Sequence, residues 1–82
     1  SALIFTAAVS QAAVVAGDSI GTTEAEVRSA LEGAGYVIES VEFDADEIEA
    51  EVTLDGVSFE IEISSATGTI LEVEAENEND DD

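Results

Sequence analysis

Between Glu47 and Ile63 the chain reads EIEAEVTLDGVSFEIEI, with an apolar residue at every second position up to Leu54 and again from Val57. Ile48, Ala50, Val52 and Leu54 share one face of a strand, and Val57, Phe59, Ile61 and Ile63 share one face of the next. Asp55-Gly56 between them is the strongest short signal for a two-residue hairpin turn. That turn sets a register in which Leu54 opposes Val57, Val52 opposes Phe59 and Ala50 opposes Ile61. On the other face the same register sets Glu51 against Glu60 and Glu49 against Glu62, carboxylate facing carboxylate.

Upstream the period changes from two to 3.6. Thr23 with Glu26 three residues later is a capping-box signature, and Val27, Ala30, Leu31 and Ala34 make one apolar stripe at i, i+3, i+4 and i+7. Gly33 and Gly35 supply the stop signal, so the spacing predicts a helix over TEAEVRSALEGAG. A strand follows, carrying Tyr36 and Ile38 and then Val41 and Phe43; the two pairs share a face only if a bulge at Glu39 and Ser40 adds one residue. A fourth strand, Thr69 to Ala75, follows the turn Ser64 to Gly68, with Leu71 and Val73 expected inward and Glu72 and Glu74 outward. The fold class expected is α+β: one helix packed on a four-stranded antiparallel β-meander over residues 23–75, with one buried and one solvated sheet face. Residues 76–82, dense in like charge and without apolar period, are expected to be a disordered acidic tail.

Residues 1–16 hold no charged side chain, and Ala2 to Ala16 is too short and too interrupted by Ser10 and Gln11 to read as a membrane span. Two readings stand. The run is a signal-peptide remnant, with Val14-Val15-Ala16 as a small-residue cleavage site before Gly17, or an N-terminal packing segment of the domain. Gly17 to Thr22 is a connector in either case.

The charge balance narrows the function classes. One basic residue, Arg28, against 21 acidic ones gives a net charge of −20. With almost nothing to neutralise phosphates, nucleic acid is excluded as a ligand, and an anionic membrane surface is equally disfavoured. No Cys and no His are present, which removes thiolate chemistry, the usual general base and the commonest transition-metal ligand. A domain of this size has a small core, so a homodimer is one way of gaining stability.

The helix ending in Ala-Leu, the strand, the Gly-turn hairpin and the run into SSATGTILEV together resemble the PepSY domain. That family closes its sheet with a strand, an Asp, a small-residue pair and Thr-Gly before a last short strand, and Ile63, Ala66, Thr67, Gly68, Ile70 and Leu71 fit the pattern. Ser64 stands where the family usually carries Asp; it too accepts hydrogen bonds from turn amides, so the turn is expected to survive while any role for the charge is not carried over. The resemblance covers about Thr23 to Val73 and is similar in layout to the repeats of secreted β-lactamase inhibitory proteins. It implies a periplasmic or secreted location and a non-catalytic protein-binding role, with peptidase inhibition or regulation among the options, and it implies no catalytic residues.

The residues themselves allow three kinds of chemistry. Opposed glutamates about 5 to 10 Å apart suit an acid/base hydrolase, but such a pair needs a pocket that drives its two pKa values apart, and an open sheet face provides none. Calcium suits an all-oxygen surface, and Asp44, Asp46 and Glu47 are weak metal candidates; counted from Asp44, loop position six is Glu49 where an EF-hand needs Gly, so only diffuse calcium binding and no cofactor are expected. Ser64, Ser65 and Thr67 lack a base to activate them and read as turn residues. A solvated acidic face of Glu49, Glu51, Glu60 and Glu62 that docks a basic protein is the reading preferred. Its rival is a salt-adapted structural domain with no specific partner.

Overall fold

A computed structural model describes residues 13–76. The expected disordered tail from residue 77 onward, and the first twelve residues of the N-terminal run, lie outside the described residues. The described chain forms one helix, α1 (Glu24–Gly33), and four strands, β1 (Val37–Phe43), β2 (Glu47–Leu54), β3 (Val57–Ser64) and β4 (Ile70–Glu76), paired antiparallel in the order β1-β2-β3-β4. Glu76, assigned to the tail by its charge, is the last residue of β4.

The capping box closes the start of α1. Thr23 Oγ1 accepts from Glu26 N at 3.2 Å, and Glu26 Oε1 accepts from the Thr23 and Thr22 amides at 3.3 and 3.0 Å. Two orphan donors at the helix start are thereby satisfied by one side chain. Arg28 pairs with Glu24 one turn away at 3.0 Å, on the solvent side. Val27 and Leu31 face the other way into a core of Tyr36, Ile48, Ala50, Val52, Ile61, Ile63 and Ile70.

The hairpin takes the register its turn dictates: Leu54 opposes Val57, Val52 opposes Phe59, Ala50 opposes Ile61, and Glu49 and Glu51 oppose Glu62 and Glu60. Asp55 and Gly56 both adopt positive φ, 54° and 83°, the geometry that matches the strand twist. Pairing of β1 with β2 shifts between Ile38 and Ser40, so the bulge at Glu39 is present and brings Ile38 and Val41 onto one face.

Two expectations are corrected. Leu71 is 53% exposed, because β4 carries a bulge of its own: Ile63 pairs with Ile70 and Glu62 with Glu72, leaving Leu71 unpaired and giving Ile70 the inward place. Val57, expected in the core, is 47% exposed at the hairpin tip. A ten-residue helix is about 15 Å long and an eight-residue strand about 27 Å, so α1 cannot cover the sheet to its ends. Tyr36 is only 3% exposed; its ring lies edge-on to Phe59 and its hydroxyl accepts from Val14 N at 3.3 Å.

The turn from Ser64 to Gly68 is tied by short-range bonds. Ser64 Oγ accepts from the amides of Ala66 and Thr67, each at 3.2 Å, and Gly68 N donates to Ser64 O at 2.9 Å. The hydroxyl does what a carboxylate at this place would do for the turn. Gly68 is buried at φ +78°, and a Cβ there would sit 2.8 Å from the backbone of Gly21. Gly68→Ala is therefore expected to cost about 1–3 kcal/mol, since both the backbone conformation and the close approach oppose it. Chemical denaturation checks this: an unchanged midpoint would show that the two segments do not touch.

Candidate functional site

Register and alternation put the glutamates of all four strands on the face away from α1. Glu42 pairs with Glu49, Glu49 with Glu62 and Glu62 with Glu72, so one row of four carboxylates crosses the whole sheet. Two residues along the strands, Ser40, Glu51, Glu60 and Glu74 form a second row. Neighbouring strands are about 4.8 Å apart, and unit charges at about 5 Å repel by somewhat under 1 kcal/mol even in water. The sequence-predicted quartet Glu49, Glu51, Glu60 and Glu62 sits at the centre of this array on β2 and β3. Glu42, Glu72 and Glu74 extend it across both edge strands; Glu72 and Glu74 face outward as the alternation of β4 predicts, and Glu42 does so because of the bulge at Glu39.

Glu49, Glu60 and Glu62 come closest, with carboxylate oxygens all within 4.8 Å of one another. Crowding holds protons on this face. Glu60 is pushed up from 4.5 to about 7, first by a hydrogen bond with the Glu49 carboxyl, then by partial burial and by the charges of Glu49, Glu62 and Glu76. Glu62 is also raised, chiefly by the charge of Glu47, with burial and the charges of Glu72 and Glu49 adding to it. Glu26 moves the opposite way, held low by the amides of Thr22 and Thr23.

These shifts give stability a direction with pH. Glu60 and Glu62 bind protons more readily in the folded than in the unfolded chain, so the folded state gains as pH falls from about 8 to about 5 and loses as pH rises through about 7. Glu26 contributes stability above the ordinary carboxylate range and loses it as pH falls below that range. Thermal melts at low salt are expected to show a maximum in mild acid, with a slope between about pH 5 and about pH 8 that shrinks in Glu60→Gln. A melting temperature that climbs with pH over that interval would contradict the crowding.

The weak metal candidates separate. Asp44 and Asp46 are exposed in the β1–β2 turn, where Asp44 N donates to Glu47 O and Asp46 O accepts from Ser65 N. Glu47 instead belongs with the array: its Oε1 is buried without a hydrogen-bond partner among the described residues, and its charge acts on Glu62. The hydroxyls near the closing turn are spent on structure, Ser65 Oγ donating to Ala45 O and Thr67 Oγ1 to Thr69 Oγ1, each at 3.0 Å. The paired glutamates lie on an open surface, and no pocket is present among the described residues. None of the described helices is long and apolar enough to cross a membrane.

A family model described as "Peptidase propeptide and YPEB domain" matches residues 1–74. No curated protein and no solved structure matches the chain significantly.

Proposed function

We propose, for a chain that belongs to the peptidase propeptide and YPEB domain family, a non-catalytic, extracytoplasmic module that binds a peptidase with a basic surface and inhibits or regulates it. The contact surface in this reading is the acidic sheet face, centred on Glu49, Glu51, Glu60 and Glu62. The observation that supports it best is the uninterrupted row Glu42–Glu49–Glu62–Glu72, with no lysine or arginine set between the acids. Like charges opposed across strands destabilise a sheet, and interspersed lysines would relieve them at once. A face that keeps the repulsion in the free state is one whose counter-charges arrive from outside. Arg and Lys side chains of a partner would relieve it, and the same field would speed encounter and reject acidic competitors.

The test is capture of a peptidase from the secreted or periplasmic fraction of the native host by the domain and by a variant with all four central glutamates changed to glutamine. Retention by the first, weakening with salt, and loss by the second are expected.

A second reading has its own support. Three carboxylates within 4.8 Å of one another suit a divalent cation, and the domain would then be a salt-adapted or calcium-binding structural unit without a protein partner. Calorimetric titration with calcium separates the two: saturable heat that vanishes in Glu60→Gln favours the cation, and its absence favours the protein.

A further inference from the structure

We infer that the free edge of β4 is a strand-addition site, taking an extended segment of the partner protein in which lysine or arginine alternates with small apolar residues. The inference rests on the reading of the outer face as a surface for a basic protein, and it adds where and in what conformation that protein is held. Sheet order leaves β4 with one strand neighbour, β3. A second neighbour is present only where β4 begins: Ser19 bridges Thr69, Gly17 N donates to Ile70 O and Ile70 N donates to Asp18 O, both at 2.8 Å. The chain then leaves this lane. Asp18 N donates to Val15 O at 3.1 Å in a turn, and Val14 N donates to the hydroxyl of Tyr36, a core residue on the inner side of the sheet. From Leu71 to Glu76 the backbone groups that point away from β3 have no partner among the described residues. Such a row is a template for another strand.

The side chains along this edge define what fits it. Past the bulge at Leu71, β4 runs regularly: Glu72, Glu74 and Glu76 oppose Glu62, Glu60 and Ser58 on the outer face, and Val73 and Ala75 oppose Ile61 and Phe59 on the inner face. The three glutamates and Ala75 are exposed, and Val73 is half-buried against the core. An added strand sets every second side chain beside Glu72, Glu74 and Glu76, where basic residues attract and acidic ones repel. Its other side chains lie beside Val73 and Ala75, and small apolar residues there extend the inner face.

The same pattern rejects the other candidates for the edge. Two β4 edges joined into one sheet would set glutamate beside glutamate, and the one basic residue of the chain, Arg28, sits on α1 and pairs with Glu24. A second copy therefore does not supply the strand. The opposite edge of the sheet is a poorer template, because the bulge of β1 lies between Ile38 and Ser40 and interrupts the row near its middle.

The test is NMR titration of the full chain with a short peptide alternating lysine and valine, with its block isomer of the same composition, and with the alternating peptide N-methylated at every lysine or at every valine. The alternating peptide is expected to shift the amides of residues 71–76 and slow their exchange, to leave those of β1 unmoved, and to bind about tenfold more tightly than the block isomer. One methylated peptide is expected to lose binding and the other to keep it, because alternate residues of a strand turn their N–H groups to the same side. The double variant Glu72→Lys, Glu74→Lys, which relieves repulsion from Glu62 and Glu60 and so stays folded, is expected to lose the peptide. Equal binding of the two isomers, or of both methylated peptides, would overturn strand addition while leaving the docking of a basic protein on the acidic face in place. Unmoved β4 amides with every peptide would overturn it as well. These readouts stand apart from the capture of a peptidase, so failure of the one is distinguishable from failure of the other.

Discussion

Ile61→Ala is expected to leave the domain largely unfolded at physiological temperature. Ile61 is fully buried at the middle of β3, opposite Ala50 on β2 and Val73 on β4. Removing three carbons from such a site costs about 2–5 kcal/mol, because the cavity left behind adds to the lost transfer energy. A core this small supplies only about 3–5 kcal/mol in net stability, so the loss is comparable with the whole. The acidic face sharpens the effect, since its repulsion opposes compaction and is tolerated only while the inner face is intact. Circular dichroism of the variant at low salt should show the loss of the cooperative melt, and added salt should recover part of it. A variant that melts within a few degrees of the natural chain would mean that the stability resides elsewhere.

The second large effect runs the other way. Changing Glu49, Glu51, Glu60 and Glu62 together to glutamine is expected to raise the melting temperature at about pH 8 and low salt by about 10 °C. Glutamine keeps the shape of glutamate and removes the charge, so the pairs Glu49–Glu62 and Glu51–Glu60 and the contacts of each with the edge strands stop repelling. Each such contact is worth a fraction of a kcal/mol, and a domain of this size shifts by about 4–8 °C per kcal/mol. The gain should fade at about 1 M salt, where the Debye length is about 3 Å and the natural chain is already screened. Thermal melts of both chains at the two salt concentrations check this; a variant less stable than the natural chain at low salt would show that the glutamates hold the sheet together.

Much of this architecture was legible in the sequence, and the parts that were not share a cause. The Asp55-Gly56 turn fixes the β2–β3 register residue by residue, because a two-residue loop leaves the strands no freedom to slip. The two edge strands carry the same kind of irregularity, and it was readable in one alone. In β1 the apolar pairs Tyr36/Ile38 and Val41/Phe43 are out of phase, which demands an extra residue. In β4 the run Ile70-Leu71-Glu72-Val73 offers an unbroken alternation through Leu71 and Val73 that needs no bulge. The structure uses Ile70 and Val73 instead, because the backbone of residues 17–20 pairs with the start of β4 and holds Ile70 inward. That pairing joins parts of the chain about fifty residues apart and leaves no local signature.

The same limit applies to the site. Opposition of Glu49 with Glu62 and of Glu51 with Glu60 follows from the turn, so the centre of the acidic face could be read directly. Its extension to Glu72 and Glu74 was legible in the alternation of β4, while the outward place of Glu42 depends on the bulge at Glu39. The burial of Tyr36 was out of reach for a different reason: Val14, which covers its hydroxyl, belongs to a segment whose place in the domain no periodicity reveals.

In the function proposed, the acids of the outer face are kept unrelieved for a basic peptidase surface to complete. Side-by-side capture from the secreted fraction of the host, by the natural chain and by the four-glutamine variant at low and at about 0.5 M salt, tests it most directly. The prediction is a peptidase held by the natural chain at low salt, released by the higher salt, and not held by the variant despite its greater stability. A peptidase held equally by both chains, or no peptidase held by either, would contradict it.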